Sequence, residues 1–202
     1  MRTRGRIVTA LAIVSACALA QAPGAAASGC PGAETDAAGQ GTAALEQSVL
    51  CLINERRAAA GLGSVRANPQ LAQAAARHSN DMVQNGFFAH TSPAGSTFID
   101  RITATGYTRG ARSWLVGENL VWGSGGLSAP ASMVEAWMES SPHRANLLRG
   151  RFREIGLSGV RGTPNDAGDP DGITVSSEYG YRDTKKKRAR KSGRRAQSHQ
   201  RS

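Results

Sequence analysis

Residues 155–179 read IGLSGVRGTPNDAGDPDGITVSSEY, and this segment sets the expected fold class. Two runs rich in β-forming residues, at 155–160 and 173–179, flank a loop of Gly, Pro, Asn and Asp. Such runs around a turn-rich loop predict an antiparallel β-hairpin. Upstream of this segment the apolar residues mainly follow a helical period. Helices followed by strands are typical of an α+β domain in which helices cover a small antiparallel sheet.

Helical spacing and capping signals predict five helices before the hairpin, at residues 42–61, 69–85, 97–106, 129–138 and 141–148. Asn68 followed by Pro69 predicts the N-cap and first turn of the second helix. His78 lies on the apolar face of that helix, where a histidine is usually a core or boundary residue. Residues 114–122 are too mixed in character to be assigned to an element.

The first 27 residues predict export from the cell. Three arginines at positions 2, 4 and 6 precede an uncharged apolar run of about 13 residues, and an Ala-x-Ala site ends at Ala27. This order predicts a signal peptide cleaved before Ser28. The run is too short for a spanning helix, which needs roughly 20 residues. An alternative remains at Cys17, whose context, Val-Ser-Ala-Cys, resembles a lipobox and predicts a lipid anchor at the cell surface.

The net charge of +10 is concentrated at the two ends of the chain. Residues 182–202 hold ten Lys or Arg and one acid, whereas residues 28–181 hold twelve Arg, no Lys and fourteen acids. We therefore expect a mildly acidic domain followed by a disordered basic tail. The tail predicts an anionic cell-envelope polymer as partner, with a solvated tail that binds nothing as the alternative. It contains no aromatic residue for base stacking, so no specific nucleic-acid recognition is expected.

Two cysteines remain in the mature chain, Cys30 and Cys51. In an oxidising compartment two such thiols are expected to form a disulfide. The bridge would tie the mature N-terminus to the first helix.

Two histidines and one carboxylate are candidates for a functional site. His90 and His143 each lie near Ser, Thr or Pro at the edge of a predicted helix, and Glu118 lies between small and polar neighbours. Two imidazoles and a carboxylate form the ligand set of many catalytic zinc sites, and they favour Zn²⁺ over Ca²⁺. The spacing alone supports this site only weakly, because the fold must bring the groups together.

Five motifs occur in order along the chain and together resemble one family. They are LINERRAAAGL at 52–62, LAQAAARHS at 71–79, FAHTSP at 88–93, VGENL at 116–120 and AWMESSPHR at 136–144. This set closely resembles the bacterial branch of the CAP superfamily, which contains SCP-like extracellular proteins and relatives of plant PR-1 and venom allergen proteins. The resemblance implies an α-β-α sandwich with a central antiparallel sheet and a large open cleft.

The resemblance also divides the chain into segments. It implies a CAP domain over residues 42–181. The predicted signal peptide (1–27) and a Gly/Ala-rich leader loop (28–41) precede this domain, and the basic tail (182–202) follows it.

The family cleft holds two His and two Glu that can bind a divalent metal. His90, Glu118 and His143 match three of these positions, but the fourth, three residues after Trp137, is Ser140. The resemblance therefore implies a triad, which puts strong metal binding and catalysis in doubt. Ser140 is interpreted as a helix cap, or alternatively as a hydrogen-bonding group for a ligand or for His143.

Two functions remain open from the sequence. The first is a binding module whose cleft recognises an extracellular lipid, glycan or wall fragment, with His90, Glu118, His143 and Ser140 at the site. The second is a metal-dependent hydrolase for an extracellular peptide or ester, with zinc held by His90, His143 and Glu118. The missing second Glu favours binding over enzymatic activity.

Overall fold

Five α-helices, one 3-10 helix and four strands form residues 29–184, the part of the chain that this computed structural model describes. In chain order they are α1 (Thr42–Ala59), β1 (Arg66–Ala67), α2 (Pro69–Asn85), α3 (Phe98–Ala104), β2 (Ala111–Gly123), the 3-10 helix (Gly125–Ser128), α4 (Pro130–Glu139), α5 (Ser141–Leu147), β3 (Glu154–Arg161) and β4 (Ile173–Thr184). The predicted signal peptide, Cys17 and residues 185–202 lie outside the described residues.

The four strands form one sheet in the order β1-β3-β4-β2. The predicted hairpin is confirmed: β3 pairs antiparallel with β4, from Glu154 opposite Gly180 to Arg161 opposite Ile173. Strand β2 pairs antiparallel with the other side of β4. The short strand β1 is parallel to β3. The sheet is therefore mixed: the expected antiparallel sheet is formed by β3, β4 and β2, and β1 adds a short parallel strand at one edge.

Helices cover both faces of the sheet and give the expected α-β-α sandwich. On one face, α1 packs on β3, and α4 and α5 pack on β2, around fully buried residues such as Leu45, Trp137 and Leu147. On the other face, α2 and α3 bury Leu71 and Ile102. The two apolar layers hold the sheet between them, so polar residues of the central strands become buried with it.

Local sequence signals set the helix starts. The Asn68 side chain accepts hydrogen bonds from the backbone N–H groups of Gln70 and Leu71, which confirms it as the N-cap of α2. Thr97 caps α3 in a capping box with Asp100. Both helices therefore begin where the sequence predicted.

Two features differ from the sequence predictions. The unassigned residues 114–122 belong to β2, the longest strand described. Strand β4 continues to Thr184, so the tail boundary at residue 182 was wrong. Arg182 is held in the domain because its guanidinium donates to the Tyr107 carbonyl at 2.9 Å.

The segment before α1 packs against the domain. Ala33 and Ala37 are buried in the leader segment, and the Ala37 N–H donates to the Ser128 hydroxyl at 2.8 Å. Cys30 and Cys51 are joined by the expected disulfide. No helix within residues 29–184 is long and apolar enough to cross a membrane.

Candidate functional site

The segment that carries His90 follows α2, and two side chains from neighbouring helices hydrogen-bond to its backbone. The buried His78 ring donates through Nε2 to the Ala89 carbonyl at 2.8 Å. Arg101, on α3, donates to the His90 carbonyl at 3.0 Å. Two buried side chains thus fix the backbone of this loop, while the His90 side chain remains 54% exposed.

Glu118, in the middle of β2, is the buried centre of the site. Its Oε1 lies 2.7 Å from His90 Nδ1, and its Oε2 accepts from Arg101 Nη2 at 2.6 Å. Burial alone would raise the pKa of Glu118. The hydrogen bonds from His90 and Glu178 and the charge of Arg101 outweigh it and hold the pKa below its usual value. Glu118 is therefore a carboxylate at neutral pH.

The Glu118 carboxylate selects the tautomer of His90. An ionised carboxylate only accepts hydrogen bonds, so His90 Nδ1 must carry the proton that lies between them. In the neutral ring, Nε2 is then left with a free lone pair, in a side chain that is half exposed. The geometry therefore leaves one imidazole nitrogen unbonded on a ring that Glu118 holds in orientation.

Glu178 is the carboxyl group that the sequence analysis missed. It lies on β4 directly opposite Glu118 on β2 and is fully buried. Burial, with the charge of Glu118 second, raises its pKa well above the usual value. A neutral Glu178 can donate its carboxyl proton to Glu118, whereas an ionised one finds no hydrogen-bond donor among the described residues. The site thus contains two carboxyl groups, one ionised and one protonated.

Side-chain amides connect Glu118 to the helix that carries His143. Asn119 donates to the His143 carbonyl at 3.0 Å, and Asn146 donates to the Glu118 carbonyl at 3.1 Å and to the Asn119 side chain. The Trp137 indole donates to the Leu120 carbonyl, two residues after Glu118 on β2, at 2.9 Å. These bonds position α5 and α4 along the edge of β2.

His143 faces the site from the opposite helical layer. Burial, followed by the charge of His90, lowers the pKa of His143, so the ring is neutral at neutral pH. The two candidate histidines therefore lie near enough for their charges to interact.

The arrangement around Glu118 bears on the predicted metal ligands. Both carboxylate oxygens of Glu118 are already hydrogen-bonded. Between residues 29 and 184, the one group of three or more His, Cys, Asp and Glu ligand atoms within 4.8 Å of one another is Cys30, Cys51 and Glu55, and its cysteines form the disulfide. Glu118 therefore fits the outer partner that orients a histidine ligand, not a ligand itself.

A pocket of about 230 Å³ adjoins His143 on the edge of β2. Its apolar lining includes Phe88, Trp122 and Trp137. Phe88 and Trp122 are 45% and 39% exposed, so two half-exposed aromatic side chains face this pocket together. Its polar lining is His143 and Ser140, whose hydroxyl makes no capping hydrogen bond at the start of α5. Ser140 is thus the N-cap residue of α5, as interpreted, but its side chain does not supply the capping hydrogen bond.

The model of the cysteine-rich secretory protein family, CAP, matches residues 50–179, more than half of the chain. The chain belongs to the CAP family. The match spans the predicted site residues and the sheet that carries them.

Two curated relatives come from Bacillus subtilis (strain 168). YkwD, an uncharacterized protein, is 31% identical over 62% of this chain and 46% of its own length. YlbC, an uncharacterized membrane protein, is 30% identical over 55% of this chain and 30% of its own length. This CAP chain thus spans less than half the length of the curated relatives it matches.

Solved structures support the fold. An extracellular SCP-domain protein of Bacillus anthracis str. Ames is 26% identical, with a TM-score of 0.54, over 68% of this chain and 40% of that one. An outer surface protein of Borrelia burgdorferi is 22% identical, with a TM-score of 0.55, over 66% of this chain and 90% of that one. The second likeness shows the fold alone.

Proposed function

We propose that this CAP protein is exported and that its cleft binds an extracellular ligand with an apolar ring or short acyl segment beside a polar group. The pocket next to His143, with two half-exposed aromatic side chains, carries this proposal. The signal-peptide sequence and the disulfide support export. Lipid attachment at Cys17 remains the alternative to free secretion.

The dimensions and chemistry of the pocket limit the ligand. Its volume of about 230 Å³ is below the roughly 300 Å³ at which pockets for drug-sized ligands begin. One sugar ring or a short acyl segment therefore fits, with the remainder of a glycan or lipid outside. Phe88 and Trp122 offer flat apolar surfaces, and Ser140 and His143 offer hydrogen bonds beside them.

Binding can be measured by calorimetry on the mature protein with two probes, a soluble peptidoglycan disaccharide and a short-chain lysophospholipid. Phe88→Ala and Trp122→Ala should each weaken binding about 5- to 30-fold, since an aromatic contact is worth roughly 1–2 kcal/mol. Trp114→Ala is the matched control, because Trp114 is equally exposed, at 41%, but does not line the pocket. Equal weakening by all three substitutions, or binding of neither probe, would contradict the proposal.

A divalent metal, with Zn²⁺ the first choice, is proposed as a second element of the cleft. His90 Nε2 and one nitrogen of His143 would bind it, and Glu118 would hold His90 in orientation. Purified protein should take up Zn²⁺, and His90→Ala with His143→Ala should abolish the uptake. Equal metal content in both proteins, measured by mass spectrometry, would refute the metal site but leave the apolar pocket intact.

The geometry supports binding better than hydrolysis. In a metal-dependent hydrolase, a carboxylate that is free to accept a proton from water can serve as the general base. Both oxygens of Glu118 are held by His90 and Arg101, and Glu178 is protonated and fully buried. Neither carboxyl group is in a position to act as that base.

The basic C-terminal segment is proposed to contact an anionic cell-envelope polymer. Residues 185–202 carry nine Lys or Arg and no acidic residue. Such a run attracts polyanions through a strongly salt-dependent interaction. Retention on anionic wall material at low salt should fall when these basic residues are replaced by Gln. Retention that is unchanged and insensitive to salt would refute this role.

A further inference from the structure

A second groove lies at the opposite edge of the sheet, between α1 and the start of α2. Strand β1 has two residues and its partner β3 has eight, so β1 covers only the first part of this edge. The chain then turns away into α2. The groove has a volume of about 350 Å³, within the range of ligand pockets, which begins at roughly 300 Å³. The lining of this edge groove includes Ala43, Glu46, Leu50, Pro69, Ala72 and Leu157.

The floor of the edge groove is the backbone of β3. The Ile155 carbonyl accepts from the Asn68 N–H at 2.8 Å, and the Gly159 N–H donates to Glu46 Oε1 at 2.9 Å. Every second residue of a strand turns its N–H and C=O to the same edge, so Leu157, midway between these two, faces the groove. Neither backbone group of Leu157 has a hydrogen-bond partner among residues 29–184. An added strand can therefore bond to both.

The two helices form the walls of the edge groove. Ala43 and Leu50 line it from α1, while Pro69 and Ala72 line it from α2. Ala43 and Pro69 are exposed, so the groove is open to solvent. Because α1 and α2 lie on opposite faces of the sheet, the side chains of an added strand would point alternately to the two walls. The small residues on both walls leave room for such side chains.

Glu46 is the one charged side chain that lines the edge groove among the described residues. It forms no ion pair with any cationic side chain of residues 29–184. Burial raises the pKa of Glu46, and the hydrogen bond from Gly159 opposes this shift. A cation beside Glu46 would favour its ionised form, whereas the carboxylate of a fatty acid would be repelled. The charge therefore favours a basic ligand.

The spacing of the α1 side chains matches an extended peptide. Glu46 and Leu50 are four residues apart on α1, which is about 6 Å along the helix. Alternate residues of an extended chain are about 6.6 Å apart and point to the same side. We infer that the edge groove binds a short extended peptide that pairs with Leu157, with an apolar side chain against Leu50 and a basic one beside Glu46. This strand addition goes beyond the proposed function and uses a separate site.

Nuclear magnetic resonance of the ¹⁵N-labelled mature protein tests this inference. The probes are acetyl-Leu-Ala-Lys-amide and its reverse, acetyl-Lys-Ala-Leu-amide, which cover both strand directions. One of them should shift the Leu157 amide resonance in a saturable way and slow its hydrogen exchange. Methylation of all three backbone nitrogens of that peptide should weaken binding about 2- to 10-fold for each hydrogen bond lost. No saturable change at Leu157, or changes confined to residues around His143, would overturn the inference.

Blocking the edge groove is the second test. Ala43→Trp places a large side chain in the groove from an exposed position and should weaken peptide binding more than 10-fold. Ala58→Trp is the matched control, because Ala58 is exposed on the same helix and does not line the groove. Equal affinity in the two variants would place the peptide elsewhere on the domain and overturn the inference.

The role of Glu46 is tested by its preference for a basic side chain. Wild type should bind the Lys peptide about 2- to 5-fold more tightly than the same peptide with Gln in place of Lys. Glu46→Gln keeps an oxygen for the Gly159 N–H and should lose this preference, whereas Glu139→Gln, an exposed control on α4, should keep it. A preference that survives in Glu46→Gln would refute the charge pairing.

Sodium decanoate distinguishes a peptide from an acyl chain as the occupant of the edge groove. Its carboxylate has the same sign as Glu46, so it should bind more weakly than the Lys peptide. Tighter binding of decanoate at Leu157, blocked by Ala43→Trp, would overturn the choice of a peptide.

Discussion

Glu178→Gln should make the protein more stable at neutral pH, although it alters a fully buried residue of the central strand. Glutamine has nearly the same shape, carries no charge at any pH and can donate a hydrogen bond from its amide to Glu118. The variant therefore copies the protonated form of Glu178. Its effect should depend on pH because the wild-type group titrates and the variant does not.

The sign follows from the direction of the pKa shift. Burial and the nearby charge of Glu118 raise the folded-state pKa of Glu178, while the unfolded chain releases this proton near pH 4.3. Above that pH the folded state binds more protons than the unfolded state. The free energy of unfolding then falls as pH rises, by about 1.4 kcal/mol per pH unit, until Glu178 ionises in the folded state.

The assay is urea unfolding, followed by tryptophan fluorescence, at half-unit steps from pH 4 to 8. Wild type and Glu178→Gln should be similar near pH 4, and above pH 5 the variant should gain about 1.4 kcal/mol per unit until Glu178 ionises in the folded wild type. The control is Glu135→Gln, since Glu135 is 52% exposed beside Arg56 and should show no such trend. Parallel pH profiles, or a Gln variant that is less stable at pH 7, would refute a protonated Glu178.

Three further substitutions test the packing around the site. Arg101→Met should lower the free energy of unfolding by about 3–5 kcal/mol, because it leaves the carboxylate of Glu118 buried without its cation, and denaturant titration measures this. Cys30→Ala with Cys51→Ala removes a bridge spanning 21 residues, and the midpoint of unfolding should fall by the equivalent of about 3 kcal/mol. Gly156→Ala should prevent folding, since its Cβ would lie 2.0 Å from the α2 backbone, whereas Gly63→Ala meets nothing within 4 Å; circular dichroism distinguishes the two.

The sequence predicted the helices well because their signals are local. Asn68 and Pro69 mark the start of α2, and Thr97 marks the start of α3, through bonds within the first turn of each helix. The β3–β4 hairpin was also predicted from the sequence, since its loop is made of turn-forming residues. Helix caps and turns depend on neighbours in the chain, so one sequence is enough to find them.

Strand β2 could not be predicted from the sequence, and the reason is physical. Its first residues are exposed on both faces and its central residues are buried on both, including the polar Glu118 and Asn119. The alternation that marks a half-buried strand is therefore missing. The same reason hid Glu178, which follows two serines that are equally buried. From the sequence, a carboxyl group in such a run is expected to be exposed to solvent. Only the pairing of β4 with β2, which places Glu178 opposite Glu118, shows that it is buried.

The hydrogen bonds that Trp137 and Asn146 donate to β2 also affect how these molecules meet one another. β2 is one of the two edge strands of the sheet, and edge strands tend to add a strand from a second molecule, which leads to aggregation. Here the carbonyls of Leu120 and Glu118 are already taken by an indole and an amide. A foreign backbone cannot replace them without breaking the contacts that hold α4 and α5. The middle of this edge is therefore closed to strand addition, although the pocket beside it is open to small ligands.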